Sequence, residues 1–314
     1  MKPIVILGMH RSGTSATTRA LGHLGASMGP ADGLGKFWEN QRMRRLNERL
    51  LEAFGGGWEC PPVLPEDWTS APEARAEVDE ARAALAQLGA APVIVWKDPR
   101  TCTTLPFWLP LFDEPPVLVI VYRHPVEVAG SLETRNQLGR GHAFAVWERF
   151  NGDALRNATG HPTAVIRYAQ LVEEPASTMR VLVDSLARFG VALGNDPETT
   201  DMELTAGRRH HESDAVDVFD DPIATASQRA LFGLLGELDS EYESFAAPRP
   251  VPETSALSAE MLELAAKARF ARRDARRAKF ELSRVSGSRR RLLKELIDST
   301  LPGRNGRRRV PTSS

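Results

Sequence analysis

Four short runs of apolar, largely β-branched residues punctuate the first 170 positions of this chain: Ile4 to Leu7, Pro92 to Trp96, Val117 to Tyr122 and Ala164 to Tyr168. They are continuous rather than alternating, the pattern of strands covered on both faces. Helical patterns separate them. Thr14 to Leu24 ends at Gly25. Gln41 to Phe54 sets Met43, Leu46, Leu50, Leu51 and Phe54 on one stripe, with Asn40 as its cap and Gly55 beyond its end. Further helices are expected after Pro125, around Ala143 to Asn157 and from Pro175 to Phe189. Strands and helices in alternation specify a three-layer α/β fold with a mostly parallel sheet.

A chain of 314 residues, 42% hydrophobic, has enough apolar material for one large domain or two small ones. The formal net charge of −1 conceals an asymmetry: positions 251 to 314 carry +9 and positions 1 to 250 carry −10. We therefore expect an α/β domain over 1–250 and a basic helical extension with a disordered tail over 251–314. Ser258 to Asp298 reads as one long helix interrupted near Ser286-Gly287-Ser288, a candidate for contact with a partner or a membrane surface; a nucleic-acid role is not expected. No stretch approaches the roughly 20 consecutive apolar residues needed to span a bilayer. The first apolar run is too short for a signal-peptide core, and the two cysteines have no metal or redox spacing, so a cytoplasmic setting is expected.

In an open parallel sheet, ligands bind beyond the carboxyl ends of the strands. Here three strand ends each deliver a cation. Gly8-Met9-His10-Arg11-Ser12-Gly13-Thr14-Ser15 follows the first run, Lys97-Asp98-Pro99-Arg100 the second, and Arg123-His124-Pro125 the third. The first loop has the G-x-x-x-x-G spacing of a phosphate cradle, in which backbone amides and a helix amino terminus receive an anion. It departs from the nucleotide triphosphatase motif, with Thr14-Ser15 where that motif has Lys and then Ser or Thr. A tight turn with incidental polar residues has the same spacing. Pro125 is placed to open a helix. Ser131, eight residues beyond Arg123, is placed to join it on a second phosphate, although a surface ion pair and a solvated hydroxyl fit equally.

Taken together these residues resemble the sulfotransferases that use 3′-phosphoadenosine 5′-phosphosulfate (PAPS). The resemblance spans roughly positions 3 to 190. It rests on Gly-Met-His-Arg-Ser-Gly-Thr-Ser at 8–15, Phe-Trp-Glu-Asn at 37–40, Trp-Lys-Asp-Pro-Arg at 96–100, Arg-His-Pro with Ser131 at 123–131, and Ile-Arg-Tyr at 166–168. It is most similar to the bacterial carbohydrate-type and tyrosyl-protein branches. The resemblance implies a P-loop-like phosphate-binding loop in which Arg11, Ser12, Gly13, Thr14 and Ser15 hold the 5′-phosphosulfate. It implies Arg123 and Ser131 on the 3′-phosphate, and Tyr168 near the adenine. The chain departs from the family at Ala169-Gln170, where Glu-Asp is frequent. The basic stretch at Arg208-Arg209 is either a cover for the nucleotide or a solvated loop.

The activity so implied moves a sulfuryl group from PAPS to a hydroxyl acceptor, a carbohydrate or small metabolite, without a metal. Arg11 and Lys97 would stabilise charge on the transferring group, and Glu39 would take the acceptor proton. Glu39 also suits a charge complement to a helix amino terminus. His10 is a second candidate base, and Asp98 reads as an organiser of its own turn. Trp58, Pro61, Pro62 and Trp68 are candidates to line the acceptor pocket, and they suit the packing of an irregular loop equally. Two alternatives stay open: a kinase-like phosphoryl transferase with a degenerate loop, and a non-catalytic module that binds partners through its basic helix.

Overall fold

The computed structural model describes residues 2–35, 37–199, 220–239 and 250–300. Four strands, β1 (Lys2–Leu7), β2 (Val93–Lys97), β3 (Val117–Tyr122) and β4 (Thr163–Arg167), form one sheet in the order β2-β1-β3-β4. Every pairing is parallel, with Val5 opposite Trp96 and Leu118, and Val121 opposite Ile166. The continuous apolar runs have the expected cause: all six residues of β3 are buried.

The helices are α1 (Thr14–His23), α2 (Gln41–Ala53), α3 (Pro72–Arg75), α4 (Val78–Ala86), α5 (Thr101–Trp108), α6 (Pro125–Asn136), α7 (Arg140–Ala158), α8 (Tyr168–Glu173), α9 (Pro175–Arg188), α10 (Ala226–Leu238) and α11 (Ala256–Thr300). One sheet face, bearing Val5, Leu7, Leu118 and Ile120, packs on residues of α2, α5 and α7 such as Leu46, Trp108 and Trp147. The other, bearing Ile4, Ile6, Val119 and Val121, packs on Leu21 of α1 and on Met179 and Leu182 of α9. These two cores make the three layers. Each fully buried Leu, Ile or Val contributes roughly 1.5 to 3 kcal/mol.

Several boundaries differ from expectation by one residue. β4 stops at Arg167, and Tyr168 opens α8 instead of ending the strand. α11 runs unbroken through Ser286-Gly287-Ser288, where an interruption was expected. A single glycine in a long helix destabilises it by only about 1 kcal/mol, less than the surrounding Ala, Leu and Arg residues supply. The expected disordered tail lies outside the described residues. The chain divides into two compact units, 1–266 and 267–314. Among the described residues no helix is long and apolar enough to cross a membrane.

Candidate active site

The strand order creates the site. From β1 the chain leaves toward β2, and from β3 toward β4, so the loops after β1 and β3 diverge and open a crevice at their carboxyl ends. Gly8 lets the first loop leave close against β3: its φ is +145°, and a Cβ there would lie 2.3 Å from the Val121 carbonyl oxygen. Gly13, at φ +92°, ends the loop as the N-cap of α1, and no side chain caps that helix. A Cβ on Gly13 would stand 2.0 Å from Cδ2 of Tyr168, whose ring covers the loop. Between them Arg11 holds a left-handed backbone, φ +73°, a conformation that costs a side-chain-bearing residue about 1 to 3 kcal/mol. Two contacts hold it: its Nε donates to Ser131 Oγ at 2.9 Å, and its carbonyl accepts from Arg123 Nη1 at 3.3 Å.

Ser131 therefore meets Arg11, and in the structure it makes no hydrogen bond with Arg123, the residue it was expected to join on a phosphate. Arg123 instead donates through Nε to Glu127 at 2.6 Å, one turn along α6, and lies 4.9 Å from the Tyr168 ring centroid. Its Nη2 is buried without a hydrogen-bond partner, as is Ser12 Oγ. Tyr168 is thus a lid on the loop and a platform for a guanidinium.

The third cation sits across the loop. Lys97, at the end of β2, is 1% exposed and donates to Glu39 Oε1 at 3.0 Å and to the Phe37 carbonyl at 2.6 Å. Ser15 Oγ donates to the same carbonyl at 3.1 Å. The segment carrying Phe37 and Glu39 is a tight hairpin: Leu34 bridges Asn40, and Gly35 N–H donates to the Glu39 carbonyl at 2.8 Å. Asn40 caps α2, its side chain accepting from the amides of Arg42 and Met43. With that terminus capped by Asn40, the Glu39 carboxylate turns to Lys97. Asp98 organises its own turn, as expected: it accepts from Arg100 Nη1 at 2.8 Å and from Asn47 Nδ2 at 2.9 Å.

A cleft of about 730 Å³ lies over these groups, bordered by Arg11, Thr14, Ser15, Glu39, Lys97 and His10, with Trp58 and Phe37 as its aromatic walls. Of the four residues expected to line an acceptor pocket, Trp58 alone borders it. Trp68 is 5% exposed and packs between Phe54 and Phe107, because the segment from 65 to 75 folds back on the core. The sequence reading missed Arg135, which borders the cleft on α6 one turn after Ser131, and also Gln41, Arg44 and the cleft-facing part of Arg100. Arg135 was within reach, since i and i+4 share a helix face. Arg208 and Arg209 lie outside the described residues.

The charges are unevenly balanced. Burial, then Arg135 and Arg123, push the Arg11 guanidinium below its ordinary value. Burial likewise pushes the Lys97 ammonium down, with Glu39 opposing. Both cations would gain from an added anion. His10 sits 4.8 Å from the Trp58 ring and 5.8 Å from that of Phe150. Its Nε2 is buried without a partner. Burial first, and then Arg100, Lys97 and Arg11, hold it well below the usual histidine range.

An imidazole so placed, among three cations, binds a proton poorly. This sets a pH dependence. The unfolded chain protonates this histidine near pH 6.5 and the folded chain does not, so acidification below that point favours unfolding. Wild type should lose up to about 1.4 kcal/mol per pH unit more than His10→Asn between pH 6.5 and 5, read by denaturant titration. Equal slopes would show that His10 titrates normally.

The buried, unpartnered atoms of Ser12 and Arg123, the uncapped start of α1 and the three strand-end cations fit a ligand with several anionic oxygens. Among the described residues no group of three or more His, Cys, Asp or Glu side chains stands together as metal ligands would. The model of the sulfotransferase family matches residues 3–188. The chain belongs to the sulfotransferase family. Two solved sulfotransferase domains have similar structures. That of the Synechococcus PCC 7002 olefin synthase is 18% identical, with 84% of this chain and 94% of that one covered and a TM-score of 0.40. That of the curacin biosynthetic pathway is 17% identical, covers 75% and 97%, and has a TM-score of 0.43. No curated protein matches this sulfotransferase in sequence.

Proposed function

We propose that this sulfotransferase uses PAPS as its donor and a hydroxyl group, on a carbohydrate or small metabolite, as its acceptor. One observation carries the reading: Arg11 in the first loop, with Lys97 and Arg123 from two further strand ends beside it, stands with Ser12 Oγ and Arg123 Nη2, which are buried and unpartnered. Arg11 to Ser15, with the first-turn amides of α1, would hold the 5′-phosphosulfate. Arg123 and Ser12 would offer their unpartnered atoms to phosphate oxygens, with Ser131 and Arg135 beside them and Tyr168 against the nucleotide.

PAPS supplies a sulfuryl group bonded to a phosphate oxygen that departs as a stable anion. The residues of this chain do the rest. Glu39 takes the acceptor hydroxyl proton as the oxygen bonds to sulfur and the bond from sulfur to the phosphate oxygen breaks. Lys97 holds Glu39 in place and, with Arg11, balances the charge on the transferring and leaving oxygens.

Calorimetric titration with the product nucleotide, 3′-phosphoadenosine 5′-phosphate, tests the donor assignment. Binding should be independent of magnesium and tighter than that of ATP. Arg123→Ala should weaken it by about 1.5 to 3 kcal/mol, the range for a hydrogen bond to a charged group. Tighter binding of magnesium ATP, or no change in Arg123→Ala, would overturn it.

A further inference from the structure

We propose that α11 pairs with α11 of a second copy of this chain as a parallel, in-register two-stranded coiled coil. On this helix Leu264, Ala268, Ala271, Ala275, Ala278 and Leu282 step by four, three, four, three and four residues. In the sequence the same spacing continues at Val285, Leu292 and Leu296, with Arg289 the one polar residue among them. A repeat of 3.5 residues drifts about 20° per heptad from the face of a straight α-helix. A helix lying on a flat lipid surface, or on the side of a globular domain, keeps its apolar residues at a period of 3.6. Held in the sequence from Leu264 to Leu296, with Arg289 in place, a repeat of seven suits a left-handed supercoil with another helix of the same repeat, and a second copy supplies it.

The stripe lies open except at Ala268, which is half-buried. Leu264 is 57% and Leu282 73% exposed, and Ala271, Ala275 and Ala278 are exposed as well. The flanks differ in charge. One carries Arg269, Arg272, Arg276 and Lys279; the other carries Glu263, Asp274 and Glu281 together with Lys267 and Arg277. A parallel pair lays the basic flank of each copy beside the acid-bearing flank of the other, setting Asp274 against Lys279 of the second copy. Its one like-charged contact is Lys267 with Arg272. An antiparallel pair would instead face basic flank to basic flank over the same stretch. Arg273, opposite the stripe, stays in water. Because the alanines bury little area, the leucines at the two ends of the alanine run carry much of the association.

Sedimentation of the full chain, with two cysteine variants, tests this. Wild type should sediment at twice the chain mass at tens of micromolar, and more completely at 300 mM than at 50 mM salt, since screening relieves repulsion between two basic helices. Leu282→Asp combined with Ala275→Asp should return it to a monomer with unchanged thermal unfolding. Ala278→Cys should cross-link to itself on oxidation, while Arg273→Cys on the outer face should not; Cys60 and Cys102 are buried and stay out of the reaction. A monomer at every concentration, equal cross-linking at the two positions, or a monomer that binds phosphatidylserine vesicles and is released by salt would overturn the proposal.

Discussion

Replacing Glu39 by Gln should lower kcat by about 100-fold to 10,000-fold and leave the affinity for the product nucleotide within about threefold of wild type. The carboxylate is 8% exposed, borders the cleft and accepts from Lys97 at 3.0 Å. Gln keeps the shape and a carbonyl oxygen for that bond, and it removes the carboxylate proposed to take the proton. The substitution thus separates the proposed base from the cations proposed to hold the donor. Single-turnover sulfation measured beside nucleotide titration reads both quantities. If kcat falls less than about tenfold, Glu39 is not the base. Parallel losses in turnover and nucleotide binding would mean that it only shapes the hairpin.

Lys97→Met should be more damaging still, because it acts on stability and turnover together. Lys97 is 1% exposed, and its ammonium holds both Glu39 and the Phe37 carbonyl. Removing one partner of a buried ion pair leaves the other charge without compensation, a loss of about 3 to 5 kcal/mol. In the double variant Lys97→Met with Glu39→Gln no unpaired charge remains. Much of the lost stability should therefore return while activity stays abolished. Thermal unfolding of the two single variants and the double, beside wild type, gives the coupling directly. Strict additivity of the two losses would show that the pair is not an energetic unit.

Much of this was legible in the chain itself. Four uninterrupted apolar runs can be satisfied only where both faces of a strand are covered, so the parallel sheet and its layers followed from local pattern. Strand-end placement of Arg11, Lys97 and Arg123 followed as well, because the ends of those runs are visible in the sequence. Asn40 as a cap and Pro125 as a helix start are short-range effects of the same kind.

What stayed hidden depended on which residues meet across the fold. That Ser131 accepts from Arg11 is a contact between residues 120 positions apart, which no local propensity predicts. Trp68, which in the sequence suits a pocket wall and the packing of a loop equally, packs on Phe54 and Phe107, because long-range packing decides where a loop lies. That Glu39 pairs with Lys97, 58 residues away in sequence, is decided by the hairpin at Leu34 to Asn40 closing on the end of β2. Local periodicity and turn chemistry therefore specify the elements and their ends, for they arise from neighbours along the chain. The pairing of charges and the burial that tunes them come from tertiary contacts, which the sequence encodes only through the fold as a whole.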